Sequence, residues 1–457
     1  MNIDTFYHEI DRVDNKLIDE VREFLRQPSI SATGEGIEET ARFLRDFIID
    51  RLGGEAQLLR YGGHPIVYGY AGDDDYSGIY YGMYDVQPVE PLDKWISPPF
   101  EAKIVDGMII ARGAFNTKGA LMSTLLGLER YRMTYGELPM KIYFLIEGEE
   151  ELGSPSMPKA VEDMKEELAK AETTLFTIPT EFVRGKPSII LGNKGILFID
   201  IKVKTSEYDV HSSYARGLYN PATILSKIVE SLIDPFKGPK PEWLYTGFRK
   251  PREEEFKYIH DIIEAMPPNQ LKEVYGIYRF RFEDIEKLVE EIIFYPSINV
   301  DGLCSGYCGE GTKTIVPSSG ILKIDFRLVP DMDPDTIYKK FVEHIEQLGL
   351  KDFVEVILRD SYTWSQTSPD SLSAKTAIKS LRNLNLDPKI VYRLPGSAPM
   401  YLFTKWLGID VVSVGPGHGG RAHAPNEYIT VDTIPMTAKF APTYFKYIRD
   451  SLSRGES

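Results

Sequence analysis

Residues 141–154 read KIYFLIEGEEELGS and join an apolar run to an acidic turn. Residues 141–146 form a short run rich in β-branched and aromatic side chains, which predicts a buried strand. The run is followed by EGEEE at 147–151, which places four carboxylates within five residues. In α/β proteins ligands bind at the carboxyl ends of the strands, and adjacent carboxylates can act as metal ligand and general base. A solvated acidic loop is the alternative interpretation.

The totals of the 457-residue chain are those of an ordinary globular protein, with 42% hydrophobic and 26% charged residues. Its net charge of −15 disfavours a surface for nucleic acid or anionic membrane. Cys304 and Cys308 are the only cysteines, too few for an all-cysteine zinc site or a disulfide framework. The chain shows neither a signal-peptide pattern nor a long apolar run. We therefore expect a cytoplasmic protein with no nucleic-acid or membrane partner.

Strands and helices alternate on both sides of the predicted strand, which favours a mostly parallel sheet covered by helices. Before it, the pattern predicts helices at 6–27, 38–52 and 119–132 and strands at 56–60, 66–70 and 77–81. From about residue 370 it predicts helices at 371–384, 398–406 and 431–452 and strands at 388–392 and 410–414.

The pattern changes near Leu197, where residues 199–203 alternate between apolar and polar as a half-exposed strand does. Helices at 221–234 and 334–348 and strands at 297–303, 321–329 and 353–358 complete a β-α-β-β-α-β order, with a charged insertion at 236–296 that holds a helix at 283–293. This order suits a small ferredoxin-like domain. We therefore predict an α/β domain formed by 1–197 and 363–457, with residues 198–362 inserted into it.

Three further stretches accompany the acidic turn: GMYDVQP at 82–88, ARGAFNTKG at 111–119 and AHAPNE at 422–427. With these, and with Trp95 and PPF at 98–100, the chain resembles the M20 metallopeptidase family, most nearly its carnosinase-like dipeptidases. Succinyl-diaminopimelate desuccinylases and acetylornithine deacetylases are more distant relatives. The resemblance implies two bridged zinc ions in the α/β domain and an inserted lid domain that forms a homodimer. It also implies hydrolysis of amide bonds in small peptides or N-acyl amino acids.

The resemblance assigns roles to residues in these motifs. It implies that Glu150 is the general base, that Glu151 and His423 are metal ligands, and that Asp85 orients the first ligand position. It implies that His211 in the lid reaches the partner subunit's site and polarises the scissile carbonyl. An exposed loop histidine is the alternative for His211.

The resemblance further implies a binding site for the carboxylate of the substrate. Thr314 and Arg327 would hold that carboxylate, for which a planar guanidinium is well suited. Gly396 and Ser397 match a turn that contacts the substrate. The alternatives are an ion pair between Arg327 and an acidic neighbour and a plain helix cap at the turn.

Three of the five expected metal ligands are altered in this sequence. Met83 stands in place of a histidine, Asn116 in place of the bridging aspartate, and Ile178 in place of an acidic residue. A thioether suits Cu(I) rather than zinc, isoleucine has no donor atom, and a neutral amide cannot bridge two dications.

We therefore predict at most one zinc or other divalent ion, held weakly by Glu151, His423 and Asn116, or no metal at all. Glu181 would reach the site only if its loop shifted. His418 is either a substitute ligand or a bystander.

Three functions remain open at this stage. The first and preferred one is an amide hydrolase with an altered metal site. The second is a non-catalytic homologue that binds an amino-acid-like ligand in the same cleft. The third is metal-independent chemistry that uses Glu150 as a base and Lys118 or His211 as an electrophile.

Overall fold

The structure, a computed structural model, describes residues 2–455 and is built on an eight-stranded central sheet. Four of its seven strand pairings are parallel and three are antiparallel, so the predicted mostly parallel α/β sheet is confirmed. The spatial order of the strands is Glu55–Leu59, Ile66–Ala71, Lys141–Glu147, Ser77–Met83, Thr174–Phe176, Val411–Val414, Ser188–Ile190 and Lys389–Val391.

The strand before the acidic turn lies near the middle of this sheet. Lys141–Glu147 runs parallel to Ser77–Met83, and Met83 lies opposite Glu147 in the register. Every residue of Ser77–Met83 is buried, as expected for a strand covered on both faces. The acidic turn and the segment that carries Asp85 therefore leave the sheet side by side.

Helices cover both faces of the central sheet. One face packs against Ile3–Arg12, Asp14–Arg26, Ile37–Asp46, Lys118–Tyr135, Leu372–Asn383 and Thr433–Leu452. The other face packs against Met157–Asp163, Lys165–Leu168 and the π-helical segment Leu402–Leu407.

Two helix predictions were wrong in detail. The predicted helix 6–27 is broken at Val13, whose dihedral angles, φ −119° and ψ 13°, are not helical. The break allows the apolar faces of both short helices, with Phe6 on the first and Leu17 on the second, to reach the same core. The predicted helix 398–406 is the wider π-helical segment Leu402–Leu407, and a similar segment, Phe47–Arg51, extends Ile37–Asp46.

A second, antiparallel sheet of four strands has the spatial order Ser297–Ser305, Ser319–Leu328, Gly195–Lys204 and Val354–Tyr362. Helices Pro221–Leu232 and Pro334–Gln347 pack against it. Their order along the chain is the β-α-β-β-α-β order expected from the sequence. The domain limits at 198 and 362 and the role of this unit as a lid stay predictions.

The insertion at 236–296 contributes the helices Glu253–Phe256, Ile259–Ala265, Pro268–Tyr275 and Ile285–Phe294. Its apolar side chains, including Ile262 and Phe294, pack against Val391 and Tyr392 at the edge of the central sheet. A covered edge has no free backbone groups to recruit another strand. The insertion therefore contacts the central sheet, although in the sequence it lies between two strands of the second sheet, Gly195–Lys204 and Ser297–Ser305.

A third sheet brings the remaining motifs together. Its strands are ordered Gly419–Gly420, Tyr428–Thr430, Met108–Ile110 and Lys103–Val105. Loops 111–117 and 421–427 leave this sheet at neighbouring strands and therefore lie side by side.

Three two-stranded pairs complete the strands: Gly192–Asn193 with Ser365–Gln366, Val210–His211 with Ile315–Val316, and Ile233–Asp234 with Gly238–Pro239. Short 3₁₀ turns lie at Leu92–Lys94, Glu150–Leu152, Ser212–Gly217, Glu242–Tyr245 and Lys351–Phe353. Between residues 2 and 455, no helix is long and apolar enough to cross a bilayer.

Candidate active site

Two of the four glutamates in the acidic turn serve the fold. Glu147 is buried and accepts hydrogen bonds from the Tyr81 hydroxyl at 2.6 Å and the Ser154 hydroxyl at 2.9 Å. Burial raises the pKa of Glu147 well above its usual range. Glu149 accepts a hydrogen bond from the backbone N–H of His64 at 2.9 Å. These contacts leave Glu150 and Glu151 as the carboxylates that can take part in chemistry.

Asp85 positions both of those glutamates through the backbone. Its carboxylate accepts hydrogen bonds from the N–H of Glu150 at 3.2 Å and of Glu151 at 3.0 Å. Burial and the nearby charge of Glu151 raise the pKa of Asp85 to about 7. The sequence led us to expect that Asp85 orients the side chain at position 83. Its carboxylate binds the acidic turn instead, and the side chain of Met83 carries no N–H group.

Glu151 is the centre of a small polar cluster. Its Oε1 accepts a hydrogen bond from Asn116 Nδ2 at 2.7 Å and lies 3.1 Å from His423 Nε2. Asn116 Nδ2 also lies 2.9 Å from His423 Nε2. Gln87 Nε2 donates to Glu151 Oε2 at 2.8 Å, a contact that the sequence motifs did not predict. The hydrogen bond to Glu151 raises the pKa of His423. The three residues named as weak metal ligands are thus together.

Glu150 has a different environment from its neighbour. Burial, followed by the charges of Glu151 and Asp85, raises the pKa of Glu150 to about 8. No hydrogen bond of its carboxylate contributes to that shift. A carboxylate in this state binds a proton more strongly than an ordinary glutamate and is suited to accept one from water.

A buried ion pair holds the segment that carries Asn116. Arg112 and Glu427 lie 2.8 Å apart, and both side chains are 1% exposed. Glu427 also accepts backbone N–H hydrogen bonds from Gly113 at 3.1 Å, Phe115 at 3.0 Å and Asn116 at 2.8 Å. Both charged residues stand in the quoted motifs, which by themselves assign them no role. Each lies beside a turn-forming residue, Arg112 before Gly113 and Glu427 after Asn426, and this placement is the feature of the sequence that hints at a role in fixing a turn.

The two altered positions outside this cluster lie in an apolar environment. Met83 is 1% exposed and belongs to an apolar cluster that includes Tyr81, Phe176 and Phe403. Ile178 is partly buried and packs against the same cluster. Both side chains therefore contribute to packing, which is the role expected of a buried methionine.

Glu181 and His418 bind each other's loops. Glu181 Oε1 accepts a hydrogen bond from the N–H of Gly417 at 2.9 Å, and its Oε2 accepts one from Gly185 at 2.7 Å. His418 Nδ1 donates to the carbonyl oxygen of Glu181 at 2.8 Å. These contacts occupy both oxygens of the Glu181 carboxylate with backbone N–H groups of the two loops. Among residues 2–455, no three His, Cys, Asp or Glu side chains are grouped as a metal site.

The residues expected to bind the substrate fall into two places. Arg327 donates to the carboxylate of Asp325 at 2.7 Å and to the Ser397 hydroxyl at 2.9 Å. The structure therefore brings Arg327 to the predicted substrate-contacting turn and also contains the ion pair that was the alternative for Arg327. The adjacent Gly396 accepts a hydrogen bond from the N–H of Lys194 at 3.0 Å. Open space surrounds the position where a Cβ of residue 396 would lie.

His211 and Thr314 lie together at a separate two-stranded antiparallel pair. His211 is exposed, and its Nδ1 lies 2.9 Å from the Ser213 hydroxyl. The carbonyl oxygen of Thr314 accepts a hydrogen bond from the N–H of Ser212 at 3.0 Å. The pairing of Val210–His211 with Ile315–Val316 brings the two together.

With this geometry in place, comparison with known proteins identifies the family. The model of peptidase family M20/M25/M40 matches residues 79–446. The chain belongs to this family. The resemblance inferred from the motifs is confirmed, and so is the predicted class of peptidase-type hydrolase at the level of the family.

Individual relatives of this M20 chain agree with that assignment. The crystal structure of the M20 family metallo-carboxypeptidase Sso-CP2 from Sulfolobus solfataricus has a TM-score of 0.89 and 35% identity, and it covers 94% of this chain and 99% of its own. The Cys-Gly metallodipeptidase dug1 of Schizosaccharomyces pombe is 26% identical over 97% of this chain and 98% of its own. The Beta-Ala-His dipeptidase of Rattus norvegicus is 28% identical over 63% of this chain, and the match spans 59% of the length of that relative.

Proposed function

We propose that this M20 chain hydrolyses the peptide bond of small peptides or N-acyl amino acids, with Glu150 as general base and at most one divalent ion. The observation that carries the proposal is the environment of Glu150. It lies next to the cluster of Glu151, Asn116 and His423 and has a pKa of about 8. Family membership and the two dipeptidase relatives support small peptides as substrates.

The donor atoms limit the number of ions. Glu151 and His423 provide two strong donors, and Asn116 adds a neutral one only if its amide turns to present Oδ1 in place of Nδ2. Catalytic zinc commonly has three protein ligands and one open position. The apolar side chains of Met83 and Ile178 provide nothing for a second zinc ion. When bound, a single divalent ion would act as a Lewis acid toward the scissile carbonyl.

The chain's own residues handle the proton. Glu150 Oε accepts a proton from the attacking water and returns it to the leaving amine. Asp85 is a positioning residue because it fixes the backbone of Glu150 and Glu151 through two N–H groups. The pair Arg112–Glu427 is a positioning pair because it fixes the turn that bears Asn116.

Arg327 and Ser397 are the groups we assign to the substrate's carboxylate. The guanidinium already bridges Asp325 and Ser397, so it is held in one orientation. We assign His211 and Thr314 to the partner subunit's site in a homodimer formed through residues 198–362. That dimer and the cytoplasmic location stay predictions.

A second candidate function is ligand binding without catalysis. Glu151 accepts a hydrogen bond from Asn116 Nδ2 at 2.7 Å and lies 3.1 Å from His423 Nε2, so its carboxylate has polar partners within the chain itself. The contacts of Lys118 argue against its role as the electrophile in the metal-independent alternative. Its Nζ donates to the carbonyl oxygen of Gln27 at 2.5 Å and lies 4.7 Å from the ring centroid of Phe24. That side chain is fully buried, and burial lowers its pKa to about 7.

Turnover and ion content of the purified chain test the proposal. Metal-stripped protein is assayed on dipeptides and N-acetyl amino acids while zinc, manganese or cobalt is titrated in and bound metal is counted. We expect turnover to reach its maximum at no more than one ion per chain. Glu150→Gln should reduce turnover by about 10²–10⁴-fold. Glu149→Gln is the matched control, because Glu149 binds a backbone N–H of the fold.

Other outcomes separate the alternatives. Two tightly bound ions per chain would refute the ion count. A thermal shift with dipeptides but no turnover under any metal would favour the binding protein. Turnover that resists a chelator and disappears in Glu150→Gln would favour metal-independent hydrolysis.

A further inference from the structure

A groove rich in positive charge lies between helices Leu372–Asn383 and Thr433–Leu452. It is an open surface groove of about 550 Å³ lined by Lys375, Ile378, Lys379, Arg382, Asn383 and Tyr447. We call it the basic groove. Its three cations recur along one helix at spacings of four and three residues, so they share one face. This concentration contrasts with the net charge of −15 of the whole chain.

Among the residues that the structure describes, the three cations have no acidic partners. Within residues 2–455, neither Lys375, Lys379 nor Arg382 forms an ion pair, and all three are exposed. The nearby Asp450 is paired with Lys446. Like charges three or four residues apart on a helix destabilise it. The arrangement therefore costs stability in the free protein.

Helix stability explains only one of the three cations. Arg382 lies in the last turn of Leu372–Asn383, where the helix dipole favours a positive charge. Lys375 is the fourth residue of the same helix, near the end where the dipole disfavours one. An anion bound in the groove would offset both the repulsion and the unfavourable position of Lys375.

The shape of the groove indicates which anion fits. Seven residues of helix span about 10 Å, which is longer than one carboxylate or phosphate and comparable to a chain of phosphates. A guanidinium binds phosphate with two parallel hydrogen bonds, and lysines add point charges. Lys379 Nζ lies 4.4 Å from the ring centroid of Tyr447, so the ring restrains this cation. Asn383 Nδ2 donates to the Tyr7 hydroxyl at 3.0 Å and fixes the end of the groove.

We infer that the basic groove is a binding site for a small ligand with two or three adjacent phosphate groups, either a nucleotide or an inorganic oligophosphate. Its volume lies within the range of small-ligand sites. The site is separate from the acidic turn, and its occupation does not depend on the peptidase activity proposed above. The cations bind the phosphate chain, and Tyr447 and Asn383 are placed to contact a base if one is attached.

Calorimetric titration with inorganic tripolyphosphate tests the site. The full chain is used with EDTA present, so that metal–phosphate complexes at the active site play no part. We expect saturable binding that weakens as salt increases and that falls at least about tenfold in K375Q/K379Q/R382Q. The matched control is K165Q/K170Q/K339Q, which removes the same charge at exposed lysines outside the groove. The control should stay within about twofold of the wild type.

Two results would overturn the inference. One is the absence of saturable binding by the wild type, and the other is an equal loss of affinity in both triple variants. A thermal melt of each variant checks that it is folded. Inorganic monophosphate should bind at least about tenfold more weakly than tripolyphosphate, and equal binding would contradict the assignment of a phosphate chain.

The same calorimetric titration with ATP distinguishes the two sources of the phosphate chain. Tighter binding of ATP than of tripolyphosphate, lost in Tyr447→Leu, supports a nucleotide. Equal binding of the two ligands, unchanged in Tyr447→Leu, supports an inorganic oligophosphate.

Discussion

The acidic turn has a polar side and an apolar side, and the two sides differ in what surrounds the expected ligand positions. On the polar side, Asn116 and His423 bind Glu151 directly. On the apolar side, Met83 and Ile178 pack within or against an apolar cluster. Met83 and Ile178 lie at the ends of central-sheet strands, whereas the loops that carry Asn116 and His423 leave the third sheet. A ligand position can thus become part of the core on one side while the other keeps its polar contacts.

The backbone framework explains how the two sides can differ. Asp85 and Glu427 each accept hydrogen bonds from successive backbone N–H groups, of residues 150 and 151 and of residues 113, 115 and 116. These contacts fix the turns without any contribution from residues 83 and 178. The framework therefore tolerates changes on the apolar side. Substitutions on the polar side should therefore have larger effects than substitutions on the apolar side.

Replacing Arg112 should destabilise the fold through the polar side of the acidic turn. Arg112→Met leaves the Glu427 carboxylate buried without its charged partner, which costs about 3–5 kcal/mol of unfolding free energy. Urea denaturation measures the loss. Arg60→Met is the control, because the ion pair of Arg60 with Glu38 is exposed and should contribute less than about 1 kcal/mol. Equal losses in both variants would show that Arg112–Glu427 is not a framework pair.

Asn116→Asp should make the polar side depend on metal. It replaces the Nδ2 donor to Glu151 by a second carboxylate, so in chelator the unfolding free energy should fall by about 1–3 kcal/mol. Added zinc should reverse the loss, because a carboxylate is a stronger ligand than an amide.

Gln87→Glu is the matched control for Asn116→Asp. It removes another amide donor to Glu151 and adds the same charge, but away from His423. Thermal melts with and without zinc compare the two. Equal rescue by zinc would show that proximity to His423 does not matter.

Stability of the metal-free chain should fall as pH rises. The folded pKa of Glu150, about 8, lies above its usual value of 4.5, so the folded state binds more protons between these limits. Its contribution to stability is present below about pH 4.5 and is lost as pH rises through 8. Asp85 acts in the same direction between 3.8 and about 7. At about 1.4 kcal/mol for each pKa unit, denaturation in chelator should give about 3 kcal/mol or more of extra stability at pH 5 relative to pH 8.

Glu150→Gln isolates the contribution of this carboxylate to the pH dependence. The variant should flatten the profile, because the amide does not titrate. An unchanged slope would mean that other groups account for the effect.

Met83→Leu should have the smallest effect. The two side chains have similar volumes, so we expect a loss of less than about 1.5 kcal/mol and unchanged turnover and ion content. Denaturation, an activity assay and metal analysis check this. A fall in ion content would show that the thioether is a ligand and that the apolar side takes part in metal binding.

Local pattern predicted most of the fold. The strand at 141–146, the alternation around it and the β-α-β-β-α-β order all follow from runs long enough to show a period. Thr174–Phe176 and Ser188–Ile190 were missed because three residues cannot show one. The break at Val13 and the packing of the insertion on Val391 depend on the shape of the core, which no local run encodes.

The sequence by itself determined the residue types at the site, because each belongs to a short motif: Glu150, Glu151, Asn116 and His423. It also determined that Met83 offers only a soft thioether and Ile178 no donor atom, since that follows from their atoms alone. Only the tertiary structure decided that Gln87 binds Glu151 and that Glu427 holds Asn116, a contact across 311 residues of sequence. Such partners are fixed by how strands and loops from distant segments meet, and neighbours along the chain do not specify that geometry.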